Sequence, residues 1–417
     1  MKLAAVLAAS FVLSVFSLAQ NPAFAGPKSA TVPITLDHNR VVIDVYLPLP
    51  GSSTKRVRGW VDNGNPDLEM SRRAATLMGL TVTCDDKSCS APPPREITIG
   101  EIKISLVGVK EANIPLKPVN AASVMAAGMS AEINLPSSVL RRYGVLINFP
   151  DREFTIAQPG TLKFKGVSSK VAVNAENGLV QVPSQIEGKK YNLALDLGAS
   201  MSFLSEELFD RILAAHPDSP HMVGAVGPAN MWGLEEEPKW KVMRLERLQY
   251  GPLYLTNVAM ADFFKEGMPF FEKRAGIATV GLLGTNALLN YRVGIDYARS
   301  TVYFDLGSTF KAPDFDVVGL TLRPEDDGRF TILGIANFEG NPSVPVPQAG
   351  DHLVAVDNVP VPDSTMGQVW SLLEGQPGQE RRLTLERGGK QFAVLAKVQH
   401  FLGEPPDNKD TKAKSKR

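Results

Sequence analysis

The stretch Val61-Asp62-Asn63-Gly64 has a counterpart in the second half of the chain, Leu195-Asp196-Leu197-Gly198. In both places apolar residues precede the aspartate, and a helix-like run opens at a serine nine positions further on, Ser71 or Ser205. The offset is the same for both landmarks, since 196 − 62 = 134 and 205 − 71 = 134. The chain therefore contains two related units in tandem.

A second pair of similar stretches lies downstream of each aspartate. Tyr143–Phe149 and Tyr291–Tyr297 share their aromatic ends and their alternating apolar residues, at an offset of 291 − 143 = 148. The larger offset means that the second unit carries extra residues between its landmarks. Periodicity and capping residues predict helices over Ser71–Leu80, Leu135–Tyr143, Ser205–Ala215 and Met366–Leu373.

The combination of an apolar pair, Asp-x-Gly and a much later Gly281-Leu282-Leu283-Gly284 resembles one lobe of the pepsin and retropepsin aspartic peptidases. The resemblance covers roughly residues 31 to 307. It implies a mainly β fold with two tandem lobes, in a pepsin-like bilobal arrangement. Each lobe is then expected to bring one aspartate, Asp62 or Asp196, to a shared cleft.

Two carboxylates held close together provide both an acid and a base for peptide hydrolysis, because like charges raise one pKa and leave one proton shared. The resemblance implies a peptide or an unfolded protein as the substrate, with no cofactor and no metal. Residues expected to support the pair are Asn63, Gly64, Gly198 and Ser200. The glycines let the two backbones approach closely.

The chain departs from the family pattern at several of these positions. The family usually has Thr or Ser after the aspartate, and here Asn63 and Leu197 occupy those places. Pro66 stands where the second unit has Ser200, and Ile133-Asn134-Leu135-Pro136 stands where it has Gly281–Gly284. Three interpretations remain open: an active aspartic endopeptidase, a degenerate pseudo-peptidase that binds peptides or acts as a scaffold, and a homodimer that uses only the second lobe.

Residues 310–402 lack an aspartate motif and differ in character from the two units. The run Ala349–Pro360, a helix over Met366–Leu373 and the run Arg381–Gly389 together resemble a PDZ domain of the circularly permuted bacterial type. That resemblance implies binding of a C-terminal peptide by strand addition. Its carboxylate loop is expected at Val318-Gly319-Leu320.

The first 25 residues have the pattern of a secretory signal peptide, with one Lys, an apolar stretch and an Ala-x-Ala site before Gly26. The predicted parts are then the signal at 1–25, a first lobe at 26–165, a second at 166–309, the PDZ domain at 310–402 and a disordered basic tail at 403–417. We expect an exported protein, periplasmic or secreted, with no integral membrane segment after signal cleavage.

Cys84 and Cys89 are the only cysteines. An isolated pair at close spacing in an exported chain favours a disulfide. The bridge is expected either to stiffen a flap over the cleft or to close a surface hairpin. The glycine-rich stretch 224–233, which contains Trp232, is likewise interpreted either as a flap of the second lobe or as a long surface loop.

The charge balance argues against a nucleic-acid partner. The chain has 44 basic and 44 acidic side chains, and removal of the signal peptide with Lys2 leaves 43 and 44, a net charge of −1. No strongly basic field exists to attract nucleic acid.

Overall fold

The computed structural model describes residues 27–115, 131–263, 267–307, 315–325 and 327–403. The chain is mainly β, as predicted. Within these ranges no helix is long and apolar enough to cross a membrane. The predicted signal peptide and basic tail lie outside the described residues, apart from the tail's first residue, Gly403.

The first lobe contains short strands around two short helices. Its helices are α1 Arg72–Leu77 and α2 Ser137–Leu140. Its strands are β1 Ser29–Pro33, β2 Thr35–Asp37, β3 Arg40–Pro48, β4 Thr54–Asp62, β5 Thr83–Cys84, β6 Cys89–Ala91, β7 Glu96–Ile99, β8 Ile102–Ser105, β9 Ala112–Ile114, β10 Ile133–Pro136, β11 Gly144–Asn148 and β12 Glu153–Ala157.

The second lobe repeats this plan with longer strands. Its helices are α3 Glu206–Ala215 and α4 Gly267–Ala275. Its strands are β13 Val167–Lys170, β14 Ala172–Val173, β15 Val180–Ile186, β16 Lys189–Leu195, β17 Ser202–Ser205, β18 His221–Val223, β19 Lys241–Tyr250, β20 Leu253–Phe263, β21 Gly281–Leu283, β22 Tyr291–Asp296 and β23 Thr301–Leu306. Single 3₁₀ turns lie at Gly227–Ala229, Glu237–Lys239, Thr285–Ala287 and Tyr297–Arg299.

One sheet joins the two lobes, with the strand order β1-β12-β11-β22-β23-β13. At its centre β11 of the first lobe pairs antiparallel with β22 of the second, with Gly144 opposite Asp296 and Asn148 opposite Arg292. These two strands are the two similar stretches of the sequence. The sheet therefore relates the lobes by an approximate twofold axis.

Strand register confirms both sequence offsets. In the first lobe Leu135 of β10 lies opposite Val61 of β4 in a parallel pair. In the second lobe Leu283 of β21 lies opposite Leu195 of β16, also in a parallel pair. Since 195 − 61 = 134 and 283 − 135 = 148, the equivalent positions differ by the offsets read from the sequence.

The two helices that follow the aspartates begin where the serines predict. The hydroxyl of Ser71 accepts a hydrogen bond from the Ala74 amide, and that of Ser205 accepts one from the Leu208 amide. Such N-caps satisfy amides that the first turn of a helix leaves unpaired.

Two predicted helices are shorter than expected. Helix α1 ends at Leu77, because the chain turns at Gly79, whose φ is +67°. The helix predicted from Leu135 begins only at Ser137, because Leu135 and Pro136 belong to β10.

The described part of the C-terminal unit has one helix, α5 Met366–Leu373. Thr365 and Gln368 form a capping box at the start of α5. The strands of the unit are β24 Asp316–Val317, β25 Leu320–Pro324, β26 Phe330–Ile335, β27 Asn337–Phe338, β28 Asn341–Pro342, β29 His352–Val356, β30 Val359–Pro360, β31 Glu380–Arg387, β32 Lys390–Lys397 and β33 Gln399–His400. Its main sheet has the order β25-β26-β29-β31-β32.

The buried apolar residues form two main clusters that do not follow the predicted domain boundaries. One cluster runs through both lobes. The other joins residues of the second lobe, such as Phe203, Val226 and Trp240, to residues of the C-terminal unit, such as Leu322 and Trp370. The C-terminal unit therefore shares its core with the second lobe.

Candidate active site

Both aspartates stand at equivalent ends of paired strands. Asp62 is the last residue of β4 and lies opposite Pro136 of β10. Asp196 directly follows β16, and its amide donates a 3.1 Å hydrogen bond to the Leu283 carbonyl. Each strand pair therefore delivers its aspartate to the junction between the lobes.

The two carboxyl groups meet across that junction. A Cβ atom added to Gly64 would overlap Asp196 Oδ2, and one added to Gly198 would overlap Asp62 Oδ1. Each carboxylate thus packs against the glycine that follows the other aspartate. This approach leaves room for no side chain at either glycine.

Asn63 connects the two lobes through both ends of its amide. Its Nδ2 donates to Leu195 O at 2.7 Å, and its Oδ1 accepts from the Leu197 amide at 2.7 Å. Leu197 itself is fully buried and offers only its backbone to this connection. One asparagine side chain of the first lobe therefore holds the backbone on both sides of Asp196 in the second lobe.

Asp196 and Ser200 have different partners. Asp196 Oδ1 accepts hydrogen bonds from the amides of Gly198 at 2.9 Å and Ala199 at 3.1 Å. Ser200 Oγ donates to Pro228 O at 3.0 Å, so its proton is directed to a loop rather than to the Asp196 carboxylate. The structure brings Asp62, Asn63, Gly64, Asp196 and Gly198 together, whereas the Ser200 hydroxyl bonds to a residue outside this set.

Asn134 supports Asp62, a contact that was not predicted from the sequence. Its Nδ2 lies 3.4 Å from Asp62 Oδ2 and 3.0 Å from Asp67 O, while its Oδ1 accepts from the Glu69 amide at 2.8 Å. In the sequence, Asn134 is a lone polar residue in an apolar stretch, at the position that Leu282 occupies in the second lobe.

The environment of the pair favours proton retention. Asp62 is 2% exposed, and its burial together with the nearby negative charge of Asp196 raises its pKa well above the usual value. Burial raises the pKa of Asp196 to about 6, although amides of Gly198 and Ala199 and the charge of Arg40 oppose the rise. The pair therefore retains a proton to a higher pH than two isolated carboxyls would.

Residues 224–240, hereafter the bridging segment, are neither a cleft-covering flap nor a surface loop. Asn230 is fully buried, and its side chain donates to Leu322 O and accepts from the Leu322 amide, both at 2.9 Å. Its carbonyl contacts His38 Nε2 at 3.0 Å. Trp232 stacks on Phe203 with ring centroids 5.6 Å apart. The segment is thus packed between both lobes and the C-terminal unit.

Two amides of the loop Val318-Gly319-Leu320 have hydrogen-bond partners within the C-terminal unit. The Val318 amide donates to Leu373 O at 3.0 Å and the Leu320 amide to Val318 O at 2.8 Å. The following strand, β25, is the edge of its sheet, and Asn230 occupies the hydrogen-bonding groups of Leu322 there. A peptide added at this edge would have to displace the bridging segment.

Cys84 and Cys89 lie opposite each other in the β5–β6 hairpin, with their Sγ atoms at bonding distance. Strand β6 also pairs with β9, whose Asn113 exchanges backbone hydrogen bonds with Leu68 and Met70. The hairpin is thereby connected to the loop that follows Asp62.

We expect the mature protein to contain this disulfide. A non-reduced digest should yield one peptide pair that carries both cysteines, shifted in mass by two hydrogens relative to the reduced pair. The same digest after reduction and alkylation is the control. Recovery of two alkylated thiols without prior reduction would contradict the pairing.

Comparison with known proteins returns similar solved structures but no match among protein families or curated proteins. No family model matches the chain, and no curated protein matches it. An aspartic proteinase from Irpex lacteus, known from a crystal structure, is similar in structure with a TM-score of 0.37 and 11% sequence identity. The match covers 68% of this chain and 99% of that one. A similarity at this level does not assign a function.

Proposed function

We propose that the chain is an exported aspartic-type endopeptidase that hydrolyses peptide bonds with Asp62 and Asp196. The observation that supports this most is the meeting of two carboxylates from equivalent positions of two related lobes. Each carboxylate packs against the glycine that follows the other aspartate, and both carboxyls have raised pKa values.

The proposed reaction uses the pair with one proton, held on Asp62. Ionised Asp196 takes a proton from water as the water oxygen bonds to the substrate carbonyl carbon, and Asp62 gives its proton to the carbonyl oxygen. The resulting gem-diol then breaks its C–N bond. Asp196 passes its proton to the leaving nitrogen, and one hydroxyl of the gem-diol returns a proton to Asp62. No covalent enzyme intermediate forms.

This assignment predicts a rate that depends on pH in a defined direction. Below pH of about 6 Asp196 becomes protonated and no base is available, so kcat/KM should fall as the pH is lowered through that value. Above the higher pKa of Asp62 the acid is lost. Cleavage of an unfolded polypeptide, followed by mass spectrometry between pH 3 and pH 9, should show an optimum near neutrality.

A peptide with a tetrahedral hydroxyl carbon in place of the scissile carbonyl provides the control. It should inhibit cleavage, because it resembles the gem-diol and transition-state analogues bind more tightly than substrates. Absence of cleavage by the folded protein over the whole pH range would contradict the proposed activity.

A pseudo-peptidase is the second candidate, favoured by the 2% exposure of Asp62 and by the apolar Leu197 beside Asp196. It predicts binding of an unfolded peptide with no product at any pH. Isothermal titration with the intact peptide, followed by mass analysis of the recovered peptide, separates the two functions.

Two further expectations belong to this proposal. Export rests on the pattern of residues 1–25, and periplasmic and secreted locations both fit it. Binding of a C-terminal peptide near Gly319 rests on the resemblance of residues 310–402 to a PDZ domain. In this proposal such binding requires release of β25 from Asn230.

A further inference from the structure

Arg40 is a buried cation beside the two carboxylates. It is the first residue of β3, and only 1% of its surface is exposed. In the antiparallel β3–β4 pair, Val42 lies opposite Trp60, so the same register continued by two residues puts Arg40 opposite Asp62. Opposed residues in a sheet project from the same face. Continued register thus places Arg40 on the same face as Asp62, which is among the acidic groups that act on it.

The guanidinium group has few partners for a charge at this depth. Nη2 donates to Met231 O in the bridging segment, and the group lies 5.9 Å from the centre of the Trp60 ring. Nε and Nη1 are buried and have no hydrogen-bond partner among the described residues. A buried charge with unpaired donors is costly unless nearby opposite charges stabilise it.

Acidic side chains from four separate elements surround the guanidinium group. Asp37 of β2 pairs with Arg40 in the β2–β3 hairpin, and Glu237 lies in the bridging segment. Asp62 and Asp196 complete the set that acts on Arg40. His38 also faces it and is uncharged near neutral pH, since burial lowers its pKa to about 3. Burial lowers the pKa of Arg40 only to about 10, so the group remains a cation.

The position equivalent to Arg40 in the second lobe carries an apolar side chain. In the β15–β16 pair Gln181 lies opposite Ala194, so the register continued by two residues puts Leu179 opposite Asp196. Leu179 is buried, at 2% exposure. The equivalent positions of the two lobes thus differ, with a cation in the first lobe and an apolar side chain in the second.

We propose that Arg40 is a positioning residue for peptide hydrolysis, which stabilises a single negative charge on the Asp62–Asp196 pair. This inference rests on the proposed function and adds a third residue to it. Without a cation, the two adjoining carboxyls would both remain protonated over a wider pH range and no general base would be available. The hydrogen bond to Met231 O also fixes Arg40 to the bridging segment, and through it to the C-terminal unit.

The test replaces Arg40 by the residue that the second lobe uses. Arg40→Leu removes the charge, Arg40→Met removes it while keeping an unbranched stem, and Arg40→Lys keeps it. Arg56→Leu is the matched control, because Arg56 is an exposed cation of the neighbouring strand that pairs with Asp44. Thermal melting and circular dichroism establish which variants are folded.

The measurement is the pH titration of the Cγ carbons of Asp62 and Asp196 by NMR with ¹³C-labelled aspartate, with signals assigned from the Asp62→Asn and Asp196→Asn variants. Arg40→Leu and Arg40→Met should raise the pH of the first ionisation of the pair by about one to two units. The rise of kcat/KM with pH should shift by the same amount. Arg40→Lys and Arg56→Leu should titrate like the wild type.

An unchanged first ionisation in a folded Arg40→Leu or Arg40→Met variant would overturn the inference. A shifted titration with an unshifted kcat/KM profile would overturn the role in hydrolysis. Failure of the wild type to cleave any peptide would count against the proposed function and not against the charge effect, because the titration is measured without substrate.

Discussion

Asp62→Asn and Asp196→Asn are each expected to reduce kcat/KM for peptide cleavage by about a thousandfold or more. The amide preserves the size of the side chain but cannot exchange the proton that the reaction requires. Both carboxyls belong to one acid–base pair, so the two losses should be similar although the surroundings of the two residues differ. The measurement is kcat/KM for one unfolded peptide at the optimal pH of the wild type.

Thermal melting separates this loss from unfolding. The pKa of Asp196 in the folded chain, about 6, lies above its usual value of 3.8. Stability is therefore lost as the pH rises from the unfolded value through the folded one, and at pH 7 the ionised group destabilises the fold. Asp196→Asn removes that cost, so its melting temperature at pH 7 should equal or exceed that of the wild type. Retained activity in Asp62→Asn alone would favour a homodimer that uses only the second lobe.

A chain that ends at Gly307 is expected to lose both stability and cleavage. The deletion removes the C-terminal half of a shared apolar core and exposes buried side chains of the second lobe such as Phe203 and Trp240. It also leaves Asn230 without its two bonds to Leu322 and Arg244 without its 3.0 Å bonds to Leu402 O and Gly403 O. Burial of one large apolar side chain contributes about 1.5 to 3 kcal/mol, so the loss should exceed the effect of any single substitution.

Differential scanning calorimetry should show a melting temperature lower by about 10 °C or more, and the shortened chain should not cleave peptides. A chain that ends at Gly403 is the matched control, because it lacks the basic tail but keeps the partners of Arg244. A soluble chain 1–307 with unchanged melting and activity would mean that the C-terminal unit is independent of the lobes.

Features that depend on local sequence were predicted well. The repeat with offsets of 134 and 148 anticipated the strand register of both lobes, because equivalent residues sit at equivalent turns. The serines nine positions after each aspartate marked the helix starts, because a cap acts on amides within one turn. Helix α5 matched its predicted bounds for the same reason.

Features that depend on contacts between distant residues could not be predicted. The hydrogen bond of Arg40 to Met231 joins positions 191 residues apart, and no local pattern marks either residue. Ser200 was expected to support Asp196 by analogy, but the buried bridging segment takes its hydroxyl proton. The glycines and Trp232 of that segment favoured a flap or a surface loop in the sequence. Its burial results from packing against the C-terminal unit, which the local sequence does not show.

The most direct test of the central claim is a double-mutant cycle on cleavage by Asp62→Asn, Asp196→Asn and the variant that carries both. If the two carboxylates act as one unit, removal of either one already abolishes the step in which the other takes part. We therefore predict that the double variant has the same kcat/KM as either single variant. Losses that multiply, so that the double variant is slower by the product of the two single effects, would contradict a shared acid–base pair.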